Sequence, residues 1–211
     1  MALAARLRGA RVYLAVEGGH EQAVRTALGA GLDVVQLRDK DADDDALLRA
    51  AGELRELCRA HGALFVVNDR PDLALECGAD AVHLGQDDAA VESVRAEVGD
   101  RLGIGVSTHS REQIAAAEAA GADYYAVGPV HATPTKPGRP AVGLELVRHA
   151  AAVASKPWFA IGGIDPGNVH EVAAAGARRV VVVRAIRDAA DPAAATRALL
   201  EGLEAEAPVA R

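Results

Sequence analysis

Gly121-Ala122-Asp123-Tyr124-Tyr125-Ala126-Val127-Gly128-Pro129-Val130-His131-Ala132-Thr133-Pro134-Thr135-Lys136-Pro137-Gly138-Arg139-Pro140 contains one period of the chain's organisation. A glycine able to take the left-handed conformation closes a helical segment, and an apolar run from Tyr124 to Val127 follows at once. Prolines fix φ and remove donors, so 128–140 is neither a helix interior nor a central strand and reads as a structured loop. The Thr133 and Thr135 hydroxyls beside the Lys136 ammonium have the donors and charge that a phosphate oxygen needs. An ordinary solvated turn would use the same residue types, and the loop alone does not separate the two readings.

The same helix ending recurs on both sides of this stretch, at Gly31-Leu32-Asp33, Gly62-Ala63-Leu64, Gly78-Ala79-Asp80 and Gly176-Ala177-Arg178. Apolar, β-branched runs recur with it: Val12 to Val16, Val34 to Leu37, Leu64 to Val67, Ala81 to Leu84, Leu102 to Val106, Trp158 to Ile161 and Val180 to Val183. The segments between them are rich in Ala, Leu, Glu and Arg, as helices are. Over 43–61, Leu47, Ala50, Ala51, Leu54, Leu57 and Cys58 share a helical face, and Asp43, Asp44 and Asp45 stand where the helix dipole favours negative charge. Ser110 with Gln113 has the spacing of a capping box. Eight runs alternating with helices predict a closed (β/α)8 TIM barrel. A doubly wound open sheet alternates in the same way, but no Gly-x-Gly-x-x-Gly follows the first run.

A chain of 211 residues, 50% hydrophobic and 25% charged, can build one sizeable core, so a single domain over 1–211 is expected. Aromatic residues make up only 3%, which predicts an aliphatic core. A net charge of -7 argues against nucleic-acid and membrane-surface partners, which need a broad basic face. Cys58 and Cys77 lack metal-ligand spacing, there is no apolar leader, and no run is long enough to span a bilayer. A cytoplasmic protein is expected, with a homodimer possible.

In such a barrel the active site lies at the C-terminal ends of the strands. There the sequence places Gln36, Arg38 and Lys40 on one side of a strand end, with Asn68, Asp69, Asp88, Ser107, Lys136, Gly162-Gly163 and Arg184 on the same rim. The cations suit a polyphosphate, and the glycine pair leaves backbone amides exposed to an anion. Asp69 and Asp88 would repel a polyphosphate unless a cation lay between, which points to Mg2+. Each could instead cap the helix that follows, and Asp87 competes with Asp88 for the metal. His83 and His109 are given no catalytic role, and His131 is left open.

The ordered set Gln36-Leu37-Arg38-Asp39-Lys40, Val67-Asn68-Asp69, His83-Leu84-Gly85-Gln86-Asp87-Asp88, Gly105-Val106-Ser107, Gly128-Pro129-Val130 through Thr133-Pro134-Thr135-Lys136, and Ile161-Gly162-Gly163-Ile164 resembles the thiamine-phosphate synthase family over nearly the whole chain. The resemblance implies a transferase that joins an aminopyrimidine methyl diphosphate to a thiazole phosphate, or to a carboxylated form of it, through a pyrimidine carbenium ion. It implies that Gln36, Leu37, Arg38, Asp39, Lys40, Asn68, Ser107 and Lys136 hold the diphosphate substrate, with Arg38, Lys40, Ser107 and Lys136 catalytic. Mg2+ would sit on Asp69 and Asp88, and the thiazole phosphate on Thr133, Pro134, Thr135, Gly163, Val183 and Arg184. Asp39 stands where the family commonly has Glu, and Arg184 where many members have serine. A related thiazole tautomerase would carry histidine directly after Gly128, where this chain has Pro129. A non-catalytic phosphate-binding barrel is the third reading, disfavoured by the presence of the full cation and carboxylate set.

Overall fold

The computed structural model describes residues 3–133 and 140–205. Its eight strands are β1 (Val12–Val16), β2 (Val34–Leu37), β3 (Leu64–Asn68), β4 (Ala81–Leu84), β5 (Gly103–Thr108), β6 (Tyr124–Val127), β7 (Trp158–Ile161) and β8 (Val180–Val182). They pair in parallel and in sequence order, and β8 closes on β1, so the expected TIM barrel is the observed fold and the open sheet is excluded. Around it run α1 (Leu3–Gly9), α2 (Glu21–Gly29), α3 (Asp44–His61), α4 (Pro71–Cys77), α5 (Val91–Val98), α6 (Arg111–Ala119), α7 (Gly143–Val153), α8 (Val169–Ala174), α9 (Arg184–Arg187) and α10 (Pro192–Glu204). None of the described helices is long and apolar enough to cross a membrane.

Alternation along each strand sorts the core into two layers. Val12, Leu14, Val35, Leu37, Phe65, Val82, Ile104 and their equivalents face the helices and form a mainly aliphatic layer, as the composition predicts. The barrel interior differs, because several of the chain's few aromatics concentrate there. Tyr13 and Tyr124 meet Phe159 edge-on, at centroid distances of 5.4 and 5.8 Å. Helix α1, which the sequence reading did not identify, packs Leu3 and Leu7 against this inner layer. At Gly103 an added Cβ would lie 2.2 Å from a Leu3 methyl, so β5 has no side chain where α1 enters.

Helix α3 begins and ends where the sequence places it. Asp43 accepts the Ala46 N–H at 2.8 Å, and Gly62 closes the helix at φ 72°. At α6 the Ser110 hydroxyl accepts the Gln113 N–H, but the Gln113 side chain reaches back to the His109 N–H, one residue before the reciprocal partner of a capping box. The aspartates after the closing glycines have a second role. Asp33, Asp80 and Asp123 each accept a backbone N–H from the start of the preceding strand, at Val12, Phe65 and Ile104 respectively. These carboxylates pin β1 to β2, β3 to β4 and β5 to β6 at the end of the barrel opposite the candidate site. Leu64 and Arg178 stand in place of the carboxylate at the other two such positions.

Candidate active site

Two cavities open at the C-terminal ends of the strands and share a wall. The first, of about 280 Å³, is lined by Arg38, Lys40, Asn68, Asp69, Asp87 and Asp88, among others. The second, of about 310 Å³, is less polar and runs between Pro129, Thr133, Gly162-Gly163, Ile164, Val181–Val183 and Arg184. Ser107 and His109, both at the end of β5, line both cavities.

In the first cavity, Lys40 Nζ lies 2.9 Å from Asp69 Oδ2. Asp69 has φ 62°, making it the one non-glycine residue in the left-handed region among the described residues. Neither aspartate caps a helix. Helix α4 is preceded by Arg70 and α5 by Ala90, with no side-chain cap at either, so the alternative role for these carboxylates is set aside. Asp88 Oδ2 accepts the Gly85 N–H at 2.7 Å. Burial, and then the Asp69 carboxylate against it, hold the Asp88 carboxyl above its ordinary range. Two mutually repelling carboxylates beside Arg38 and Lys40 have the chemistry of a magnesium site completed by substrate and water. That ion takes one or two carboxylates and fills its other positions with water and phosphate oxygens.

The second cavity depends on glycines. Val130 N–H bonds Ile161 O at 2.8 Å and His131 N–H bonds Gly162 O at 3.0 Å, so the loops after β6 and β7 run against one another. A Cβ on Gly162, at φ 105°, would lie 2.5 Å from Pro129 Cα. Asn168 Nδ2 holds Gly163 O at 2.8 Å from the other side. Arg184 opens α9 at the cavity mouth.

Other expected site residues separate. Gln36 is 5% exposed and points into the barrel, where its amide nitrogen donates to Tyr13 OH at 2.7 Å. Leu37 turns to the helix-facing core, so only its backbone is near the rim. Asp39 faces a different hollow, shared with Gly18, Gly19 and α3, because alternation points it away from Arg38 and Lys40. Pro134, Thr135 and Lys136 lie outside the described residues. The sequence reading gave no role to Gln86, which lines the first cavity, or to His109, whose ring bonds Gly128 O. The signal for His109 was its place two residues after Ser107, on the same side of β5. His83 is buried between Tyr124 and Ser107, in keeping with a structural reading.

The pattern of the family described as thiamine monophosphate synthase matches residues 13–186. The chain belongs to this family. Among curated relatives, the thiamine-phosphate synthase of Acidothermus cellulolyticus is 52% identical over 96% of this chain and 99% of that protein. That of Arthrobacter sp. is 49% identical over 96% and 98%. The thiamine phosphate pyrophosphorylase of Pyrococcus furiosus superposes with a TM-score of 0.87, at 33% identity over 97% of this chain and 99% of that one. Membership in the thiamine monophosphate synthase family makes the chain a transferase of thiamine biosynthesis. A 3-hexulose-6-phosphate synthase, 22% identical with a TM-score of 0.65, shares the fold.

Proposed function

We propose that this chain, acting over 1–211 as one catalytic unit, joins an aminopyrimidine methyl diphosphate to a thiazole phosphate or its carboxylated form, giving thiamine phosphate and diphosphate, with the carboxyl group of the carboxylated form lost as CO2. The observation that carries this reading is the pair of unlike cavities meeting at Ser107 and His109. The charged cavity suits the diphosphate and the less polar one a flat heterocycle bearing a single phosphate. At their seam the pyrimidine methylene carbon and the thiazole nitrogen would meet.

In the proposed sequence the methylene C–O bond breaks first, and the electron pair leaves on the diphosphate. The pyrimidine carbenium ion is then captured by the thiazole nitrogen lone pair, which forms the new C–N bond. Arg38 and Lys40, with Lys136, neutralise the leaving group, while Asn68 and the Ser107 hydroxyl donate hydrogen bonds to it. Magnesium on Asp69 and Asp88 would spread the same developing charge. Thr133, Pro134, Thr135, the Gly163 amide and the Val183-Arg184 strand end hold the thiazole phosphate. No nucleophilic triad is required, since binding orients the two reactants and the cations stabilise what leaves.

The test is to mix protein, magnesium and both substrates and to follow diphosphate and thiamine phosphate by chromatography. Product that needs both substrates and disappears on chelation is the expected result. A folded protein that consumes neither substrate would overturn the proposal.

A further inference from the structure

Beneath the shared wall, five polar side chains cross an otherwise apolar barrel interior. Gln36 Nε2 lies 2.7 Å from Tyr13 OH, and Tyr13 OH lies 3.3 Å from Tyr124 OH. Tyr124 OH lies 3.2 Å from His83 Nδ1, and His83 Nε2 lies 3.1 Å from Ser107 Oγ. Val34, Val66, Ala81 and Val181 surround them in the same layer. An apolar set would fill this space without any demand for hydrogen-bond partners, so the chain of polar groups calls for a reason.

We infer that Tyr13, Tyr124 and His83 are positioning residues that fix the Ser107 hydroxyl as a hydrogen-bond donor toward the diphosphate, through a one-way chain of hydrogen bonds beginning at Gln36. This rests on the proposed function. The donor inventory fixes the first step, and the negative charge of the diphosphate selects the direction of the rest. An amide nitrogen can only donate, so the Tyr13 oxygen accepts from Gln36. Each phenol oxygen can accept more than one bond, so either tyrosine can be the donor between them; in the order that leaves the serine proton for the cleft, Tyr13 donates to the Tyr124 oxygen and Tyr124 to His83 Nδ1. A neutral imidazole that accepts at Nδ1 carries its proton on Nε2, which donates to Ser107 Oγ. The serine oxygen is thereby engaged from below, and its own proton is left for the cleft.

The opposite direction would leave the serine presenting lone pairs to a polyanion, a repulsive arrangement. Burial pushes the Tyr13 and Tyr124 phenols well above their ordinary range, so both keep the protons that the chain of hydrogen bonds requires. Strand β5 makes room for it at Gly105, where an added Cβ would lie 2.1 Å from Tyr124 Cζ. Neither tyrosine lines either cavity, nor does His83, so any influence on turnover passes through Ser107.

The experiment combines 15N NMR of the seven histidines, with His83 assigned by His83→Gln, and steady-state kinetics of the full chain. Wild type should show His83 protonated at Nε2. Tyr124→Phe keeps the ring and removes the donor to Nδ1, so His83 should become a mixture of tautomers. Its kcat should fall about tenfold, less than the direct loss of a donor to developing charge, with both KM values within about twofold. Tyr13→Phe leaves the last donor in place and should lower kcat by about threefold at most. In a Ser107→Ala background, Tyr124→Phe should cost nothing further, because the two act through one atom. The inference is overturned by an unchanged Nε2 tautomer in Tyr124→Phe, by an unchanged kcat there, or by losses that multiply in the double variant. A wild type that makes no product overturns the synthase reading instead, and the tautomer measurement then decides the hydrogen-bond order by itself.

Discussion

Asp88→Asn separates what this side chain does for the fold from what it does for the site. The amide oxygen of asparagine can still accept the Gly85 N–H now held at 2.7 Å, so the loop after β4 keeps its tie. The negative charge is lost. Because burial and Asp69 raise the Asp88 carboxyl, its ionised form is a cost to the metal-free fold. Solvent screens most of that cost, leaving less than about 1 kcal/mol. At about 2–4 °C per kcal/mol for a chain of this size, the variant should melt between the wild-type temperature and about 4 °C above it. The sign fixes the pH window. A group whose folded value is raised is neutral in both states below its unfolded value of 3.8 and becomes a burden as pH rises through the folded one. The advantage of the variant therefore appears above the ordinary carboxylate range and vanishes in acid.

Ligand binding should change in the other direction. Inorganic diphosphate at about 100 times its Kd stabilises a protein by about 2.7 kcal/mol. For wild type with magnesium that is a rise of about 5–11 °C in a thermal melt. Asp88→Asn should lose the magnesium-dependent part of this rise, and turnover should fall at least about 100-fold. A variant that keeps the magnesium-dependent shift, with turnover within about threefold of wild type, refutes the placement of the metal at this pair.

Arg184→Ala should raise KM for the thiazole phosphate about 10- to 100-fold, the worth of one charge-assisted hydrogen bond, and leave KM for the pyrimidine diphosphate within about twofold; steady-state kinetics with each substrate varied decides it. Gly162→Ala forces a side chain into φ 105° and against Pro129 Cα at 2.5 Å, so it should cost about 2 kcal/mol or more in denaturant melts and distort the second cavity. Glu118 accepts hydrogen bonds from Tyr125 OH and Ser155 N–H, each at 3.0 Å, and from the Ser155 hydroxyl. Burial alone would raise its carboxyl, but the Ser155 bonds and then Tyr125 outweigh it and the net shift is downward. Glu118→Gln should therefore cost about 1 kcal/mol at neutral pH, a deficit that closes as pH falls from 4.5 through the folded value; melts from pH 7 to pH 3 measure it.

The βα alternation was legible because it is local. Gly62 and Asp43 mark the ends of α3 through conformational preferences that the residues carry with them, and the apolar runs show their period in the sequence itself. Much of the rim was legible for a related reason, since a strand end fixes which residues follow it. The illegible parts depend on contacts across the barrel. Asp80 reads as a residue after a helix-closing glycine, yet its carboxylate accepts from Phe65, a partner set by how β3 lies against β4. Gln36 reads as the first of three residues on one side of β2, and it is. Its side chain is nevertheless taken by Tyr13 on the neighbouring strand, while Arg38, two residues on, clears the barrel and reaches the cleft. Helix α1 escaped detection because its role is to fill a space that exists only once the barrel has closed.

Asp69 shows where the demands of the site outweigh those of the fold. A left-handed backbone costs a side-chain-bearing residue on the order of 1 kcal/mol, and glycine would adopt φ 62° freely at the end of β3. A second carboxylate beside Asp88 adds repulsion, which the Lys40 contact at 2.9 Å only partly offsets. No helix cap is gained in return, because α4 begins after Arg70 without a side-chain cap. Two separate costs are therefore carried by one residue at the rim, next to a second acidic group with the same unfavourable electrostatics. Both costs are explained if the left-handed turn aims the Asp69 carboxylate at Asp88, so that the two hold a cation that only the working enzyme contains.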